Sequence, residues 1–152
     1  MATSKSGPLA LIEGVDAPNF ADIEKQVFPS PWRAASFREG PAYRGWSFWR
    51  GDRMVAFLYV QKVLDEAEII RIAVLPDWQR KGLAGRLWQA LITNAECRDL
   101  ERVSLEVSTA NEPARAFYER LGFEISGRRR DYYAQGEDAL TMLWKAPRTG
   151  PA

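Results

Sequence analysis

Residues 79–85 read Gln79-Arg80-Lys81-Gly82-Leu83-Ala84-Gly85, between the apolar run Ile69-Ile70-Arg71-Ile72-Ala73-Val74-Leu75 and a segment patterned as a helix. A strand that turns through small residues into a helix start aims several free backbone N–H groups at one point, and the helix dipole adds partial positive charge there. Such a junction suits an anion, and the side chains of Arg80 and Lys81 suit a pyrophosphate. Taken alone, the loop is equally compatible with a nucleotide, a bare phosphate or a plain connection.

Glu106, Tyr118 and Asn111 add to it. Glu106 interrupts the apolar strand Val103-Ser104-Leu105-Glu106-Val107, where alternation sets Ser104 and Glu106 on one face and the aliphatic residues on the other. Spacing leaves two readings open: a solvated face, or a carboxylate at a cleft beside residues 69–75 acting as general base. Tyr118 lies beside the stripe Ala114, Phe117 and Leu121, either as a packing residue or as a phenolic donor for a departing thiolate. Asn111 suits a helix N-cap, and its amide could also meet an amide-bearing cofactor. Asp65, Glu66 and Glu68 form an acidic group at the expected cleft mouth, surface charges able to attract a cationic acceptor. Arg128, Arg129 and Arg130 with Tyr132 and Tyr133 hint at RNA, but Asp131, Glu137 and Asp138 offset them and favour a solvated strand end.

Absences narrow the chemistry further. With no histidine in 152 residues, Ser-His-Asp and Cys-His catalysis and His-bearing zinc sites are excluded. Cys97 is the single cysteine, so no intrachain disulfide or multi-cysteine metal site can form, and a semi-buried structural thiol is expected there. No metal is expected, and a general base must come from Asp, Glu, Lys, Tyr, Cys, a terminus or water. A net charge of +1 supplies no field for nucleic acid or membrane. Residues 1–7 lack an apolar core and no run approaches membrane-spanning length, so a cytoplasmic location is expected. The chain fits one domain, residues 1–152, with 1–7 and 146–152 frayed.

The elements that must position these groups follow from patterning. Strands are expected over 8–13, 46–50, 54–63, 67–75, 103–107, 123–130 and 138–145, with Gly51-Asp52 as a hairpin turn. Asp16 caps a helix through about 26, with Phe20, Ile23 and Val27 on one face. Phe28-Pro29-Ser30-Pro31-Trp32 is a stiff aromatic turn, with a short helix expected over 33–39. Leu83, Leu87, Ala90, Leu91 and Ala95 form one helix face, and Asn111-Glu112-Pro113 opens a last helix that Gly122 stops. The order is β-α-α-β-β-β-α-β-α-β-β, an α/β sandwich on a mixed sheet with the anion loop at its carboxyl edge.

Together these residues resemble the GNAT superfamily of acyl-CoA-dependent N-acetyltransferases, whose Gln/Arg-x-x-Gly-x-Gly/Ala loop after the fourth strand is matched by residues 79–84. Within it the chain is similar to the RimI branch, the ribosomal-protein N-terminal alanine acetyltransferases. That likeness runs through Phe28 to Trp32, Val63-Leu64-Asp65-Glu66-Ala67, Ile72-Ala73-Val74, Leu105-Glu106-Val107, residues 116–123 and residues 128–133. The resemblance implies a mostly antiparallel sheet flanked by helices and acetyl-CoA as cosubstrate. It implies pantetheine along Ile72, Ala73 and Val74, and pyrophosphate on the backbone of Arg80, Lys81, Gly82, Leu83, Ala84 and Gly85. It makes Asn111 a cofactor contact, Glu106 the base and Tyr118 the acid. The acceptor is then a protein N-terminus, one of a ribosomal protein beginning with alanine, in a groove between 28–32 and 131–138. A lysine or small-molecule amine acceptor, or a non-catalytic acyl-CoA sensor, remains as the alternative. Oligomeric state is not legible.

Overall fold

Met54, Val55, Ala56, Phe57, Leu58, Tyr59 and Val60 are all buried, as only a central strand covered on both faces can be. The computed structural model describes residues 8–147 and places this run in the middle of a seven-stranded sheet. Its strands are β1 (Leu9–Glu13), β2 (Tyr43–Arg50), β3 (Arg53–Val63), β4 (Glu66–Val74), β5 (Arg102–Ser108), β6 (Glu124–Ala134) and β7 (Glu137–Lys145). They lie in the order β1-β2-β3-β4-β5-β7-β6, and only β4 and β5 run parallel. The fold is therefore the mixed, mostly antiparallel α/β sheet that the sequence leads one to expect.

Three helices cover the sheet: α1 (Ala17–Val27), α2 (Leu83–Thr93) and α3 (Glu112–Leu121). Asp16 caps α1 by accepting from the Asn19 N–H at 3.2 Å, and Phe20 stacks on Phe57 with centroids 4.3 Å apart. Ser47 is the register partner of Phe57, so the next residue, Phe48, points to the opposite face, where Arg86 of α2 lies 4.6 Å from its ring. Helices α1 and α2 thus pack on opposite faces. Trp88 of α2 packs against Phe123, just beyond the end of α3, and Tyr118 of α3 packs against the same ring.

The structure departs from the sequence-based expectation at a few points. Residues 33–39 form no α-helix: only Ala34–Ser36 make a 3-10 turn, because Phe37 is drawn into the core against Phe20, Phe57 and Tyr59. Helix α2 ends at Thr93, before Ala95, because Asn94 is extended and its side chain caps the separate turn Ala95–Cys97. Cys97 in that turn is 2% exposed, fully rather than half buried. Strand β6 continues to Ala134, beyond the expected end at 130, across an irregularity where Asp138 accepts from the backbone of Asp131 and from Arg128. Ala146 is not frayed, since its N–H donates to Glu101. Residues 1–7 and 148–152 lie outside the described residues.

Gly45 of β2 shows how tightly α1 is seated. A Cβ there would meet the Gly14 carbonyl oxygen at 2.7 Å and the Phe20 ring at 3.0 Å. Gly45→Ala is expected to cost about 1–3 kcal/mol, since the nearest atom is backbone and cannot swing away; a shifted urea midpoint measures it.

Candidate active site

Strands β4 and β5 pair only between Glu66 and Glu68 on one side and Arg102 and Ser104 on the other. Beyond that point β4 stays on β3 as far as Val74, while β5 stays on β7 as far as Ser108. The sheet therefore splits. Ile72, Ala73 and Val74 line one side of the gap and Glu106 stands on the other. The edge of β4 that faces the gap has lost its strand partner, so its backbone groups are available to an amide-bearing ligand.

The 79–85 loop sits at the β4 end of this split. The Gln79 side chain donates to the Val74 carbonyl at 3.0 Å, tying the loop to the last strand residue. Arg80 and Gly82 both take positive φ, 63° and 80°, which turns the chain sharply before α2. Gly82 is the N-cap and offers no side chain, and the first helical bond runs from Arg86 N–H to the Gly82 carbonyl. The N–H groups of Leu83, Ala84 and Gly85 accordingly have no acceptor within their helix. Helices α1 and α3 differ: Asp16 and Asn111 cap them with side-chain oxygens. The first turn of α2 carries no acid, and a Cβ on Gly82 or Gly85 would meet nothing within 4 Å. This helix start is open, uncapped and flanked by Arg80 and Lys81, a cradle that fits a pyrophosphate.

Across the gap, Val103, Leu105 and Val107 are buried while Ser104 and Glu106 are half-buried on the other face. The Glu106 carboxylate lies 3.5 Å from the Arg129 guanidinium of β6. Glu68 of β4 shares its surroundings: burial first and then the Glu106 charge raise the Glu68 carboxyl above its ordinary range, with Arg129 opposing. Burial, followed by the Glu106 charge, likewise raises the Tyr133 phenol. The split thus brings Glu68, Glu106, Arg129 and Tyr133 into one electrostatic neighbourhood. Glu68 is exposed, as expected of a surface charge, and the structure adds its coupling to Glu106.

Tyr118 is more deeply placed than its stripe position suggests. It is 7% exposed, packed between Phe117 and Phe123, and desolvation pushes its phenol to about 12. A hydroxyl so placed is a neutral donor at any pH near neutrality. Asn111 spends its side-chain oxygen on the Ala114 N–H at 3.2 Å, which leaves its amide nitrogen as the group able to meet a ligand.

One pair escaped the sequence reading. Glu24 of α1 is completely buried and accepts from Arg71 of β4 through Nε at 2.9 Å and Nη2 at 2.5 Å. The signal was present, since an acid stands on the buried face of α1 beside Ile23, and Arg71 interrupts the apolar run of β4.

The acetyltransferase (GNAT) family model matches residues 17–123. The [ribosomal protein bS18]-alanine N-acetyltransferase of Salmonella typhimurium is 40% identical over 139 residues, covering 88% of this chain and 94% of that one. The protein of the same description from Escherichia coli K12 is 37% identical with the same coverage. The crystal structure of the ribosomal-protein-S18-alanine N-acetyltransferase from Escherichia coli superposes with a TM-score of 0.86 at 35% identity, covering 94% of this chain and 97% of that one.

The Tyr118 shift fixes a sign. Between the ordinary value of 10.0 and about 12, the folded chain keeps a phenolic proton that the unfolded chain has released. The stability this group contributes is therefore complete below pH 10 and is lost as pH rises toward 12. Chemical unfolding across that window is expected to show a shallower alkaline loss for Tyr118→Phe than for the wild type.

Proposed function

This chain belongs to the GNAT acetyltransferase family, and from that membership we propose that it moves the acetyl group of acetyl-CoA onto the α-amine at a protein N-terminus. The acceptor we infer is a ribosomal protein that begins with alanine, as the names of the relatives at 37–40% identity indicate for those proteins. The observation that carries the reading is the split between β4 and β5, with an uncapped helix start at one end and Glu106 across it.

In this reading the pyrophosphate of acetyl-CoA rests on the N–H groups of residues 80–85, with Arg80 and Lys81 adding charge. The pantetheine arm runs along Ile72, Ala73 and Val74, where its amides complete the backbone edge that β5 has left. Asn111 offers its amide nitrogen from the far side. An N–H of the same β4 segment polarises the thioester carbonyl as the oxyanion forms.

Aminolysis needs a neutral amine, and a protein α-amine titrates near pH 7.7–8.0, so modest help suffices. Glu106, directly or through one water, accepts the proton that the nitrogen sheds as the C–N bond forms. The tetrahedral intermediate then collapses, the C–S bond breaks and the sulfur leaves as thiolate. Tyr118 supplies the proton that converts it to the thiol. A phenol at about 12 parts with a proton only to a strong base, which a thiolate held out of water becomes. Holding both reactants in one cleft supplies much of the rate.

The test combines mass spectrometry of N-terminal peptides with steady-state kinetics. Wild type is expected to acetylate an alanine-initiated peptide at its α-amine, and modification confined to lysine or polyamines overturns the acceptor. Glu106→Gln and Tyr118→Phe are each expected to lower kcat by about 10²-fold or more, with little change in acetyl-CoA binding. Retention of wild-type rates by both variants across the pH range rejects the assigned roles. Separately, Arg80→Ala with Lys81→Ala is expected to raise the KM for acetyl-CoA and flatten its salt dependence, with kcat nearly constant.

A further inference from the structure

We propose that Glu24 and Arg71 form a clasp that fixes the 28–32 turn, one wall of the acceptor groove, to the strand that carries the thioester. The pair aligns the acceptor amine with the acetyl group and takes no part in proton transfer. This proposal rests on the acetyl-transfer reading above.

The Glu24 carboxylate is fully buried and has three donors: Arg71 Nε, Arg71 Nη2 and the backbone N–H of Trp32 at 2.9 Å. All three donors are N–H groups, two of them on one guanidinium, so both carboxylate oxygens are committed to holding α1, the turn and β4 together. The guanidinium of Arg71 also lies 4.5 Å from the Phe28 ring centroid and 5.0 Å from that of Trp32. Both aromatic residues of the turn are therefore seated on the cation that pairs with α1. Pro29 and Pro31 stiffen the segment between them. The turn and β4 are thus tied through one guanidinium and one carboxylate.

A buried ion pair is weak evidence for stability, because apolar residues of similar volume often hold two elements together as well. What a guanidinium–carboxylate fork adds is direction, since two parallel bonds fix an angle as well as a distance. Direction matters here because Arg71 immediately precedes Ile72, where the proposed pantetheine track begins. It also lies beside the register irregularity at Tyr59 and Val60, which leaves Ile70 as an extra residue in β4. Such a bulge re-aims the strand, and the clasp holds the strand where it has been re-aimed. Trp32, held in this way, joins Tyr43, Tyr59, Gln61 and Ile70 in lining a cavity of about 420 Å³.

The experiment uses the full chain with Glu24→Gln, Arg71→Lys and Arg71→Met. It measures kinetics with acetyl-CoA and an alanine-initiated peptide, acetyl-CoA binding by calorimetry, and thermal unfolding. Glu24→Gln and Arg71→Met are expected to raise the KM for the peptide about tenfold or more, while acetyl-CoA affinity changes by less than about twofold. Arg71→Lys is expected to recover only part of the loss, because an ammonium keeps the charge but not the fork. The ascending limb of the pH–kcat profile is expected to stay in place in every variant. A lowered melting temperature with both substrate constants intact overturns the proposal and leaves the pair merely structural. A collapse in kcat with a displaced ascending limb overturns it in the other direction, by making Glu24 part of the proton path. If Glu24→Gln fails to fold, the two Arg71 variants decide the question alone. Wild-type protein that binds acetyl-CoA yet turns over no peptide overturns the acetyl-transfer reading itself, before any variant is compared.

Discussion

The parting of β4 from β5 is the constraint on which the rest of this molecule depends. A parallel pair that ends after Ser104 leaves an interior strand edge without a strand partner, while the strands on either side, β3 with β4 and β5 with β7, stay paired over much longer runs. Backbone groups in an interior are rarely left unpaired, so the gap calls for an occupant that carries amides of its own. The same parting sets the start of α2 at the open end and Glu106 opposite. The proposed anchor, track and base all follow from one break in hydrogen bonding.

Keeping such a break open requires rigidity on both sides. On one side, β4 is bonded to β3 along its length and tied to α1 through Arg71 and Glu24. On the other, every residue of β5 from Arg102 to Ser108 is in register with β7. The sheet stores its order in these flanks, and α1 and α2 on opposite faces bury the strands between them. Glu106 and Tyr118 find different surroundings: the carboxylate half-buried beside Arg129, the phenol enclosed by Phe117 and Phe123. That contrast is what the proposed roles require, one group to take a proton and the other to give one.

The features legible in the chain were those settled by near neighbours. Gly82 and Gly122 take the left-handed conformations their turns require, and Asn111 caps the helix that begins one residue later. Alternation in 103–107 placed Glu106 on the half-buried face, and the spacing of Leu83, Leu87 and Leu91 gave the inner side of α2. Where prediction failed, a distant partner had intervened. Phe37 abandoned a local helix for an aromatic cluster built from α1 and β3, and β6 was carried past 130 by contacts with Asp138.

The sequence by itself determined the order of elements, the uncapped glycine start of α2 and the side of its strand on which Glu106 stands. Each depends on dihedral preference, alternation or capping within a few residues. Tertiary structure alone decided that β4 and β5 separate, that Arg129 meets Glu106, and that Glu24 grips Arg71 across 47 residues. Ion pairs and strand separations are set by where the sheet delivers each backbone, and no local preference of a glutamate or an arginine specifies its partner.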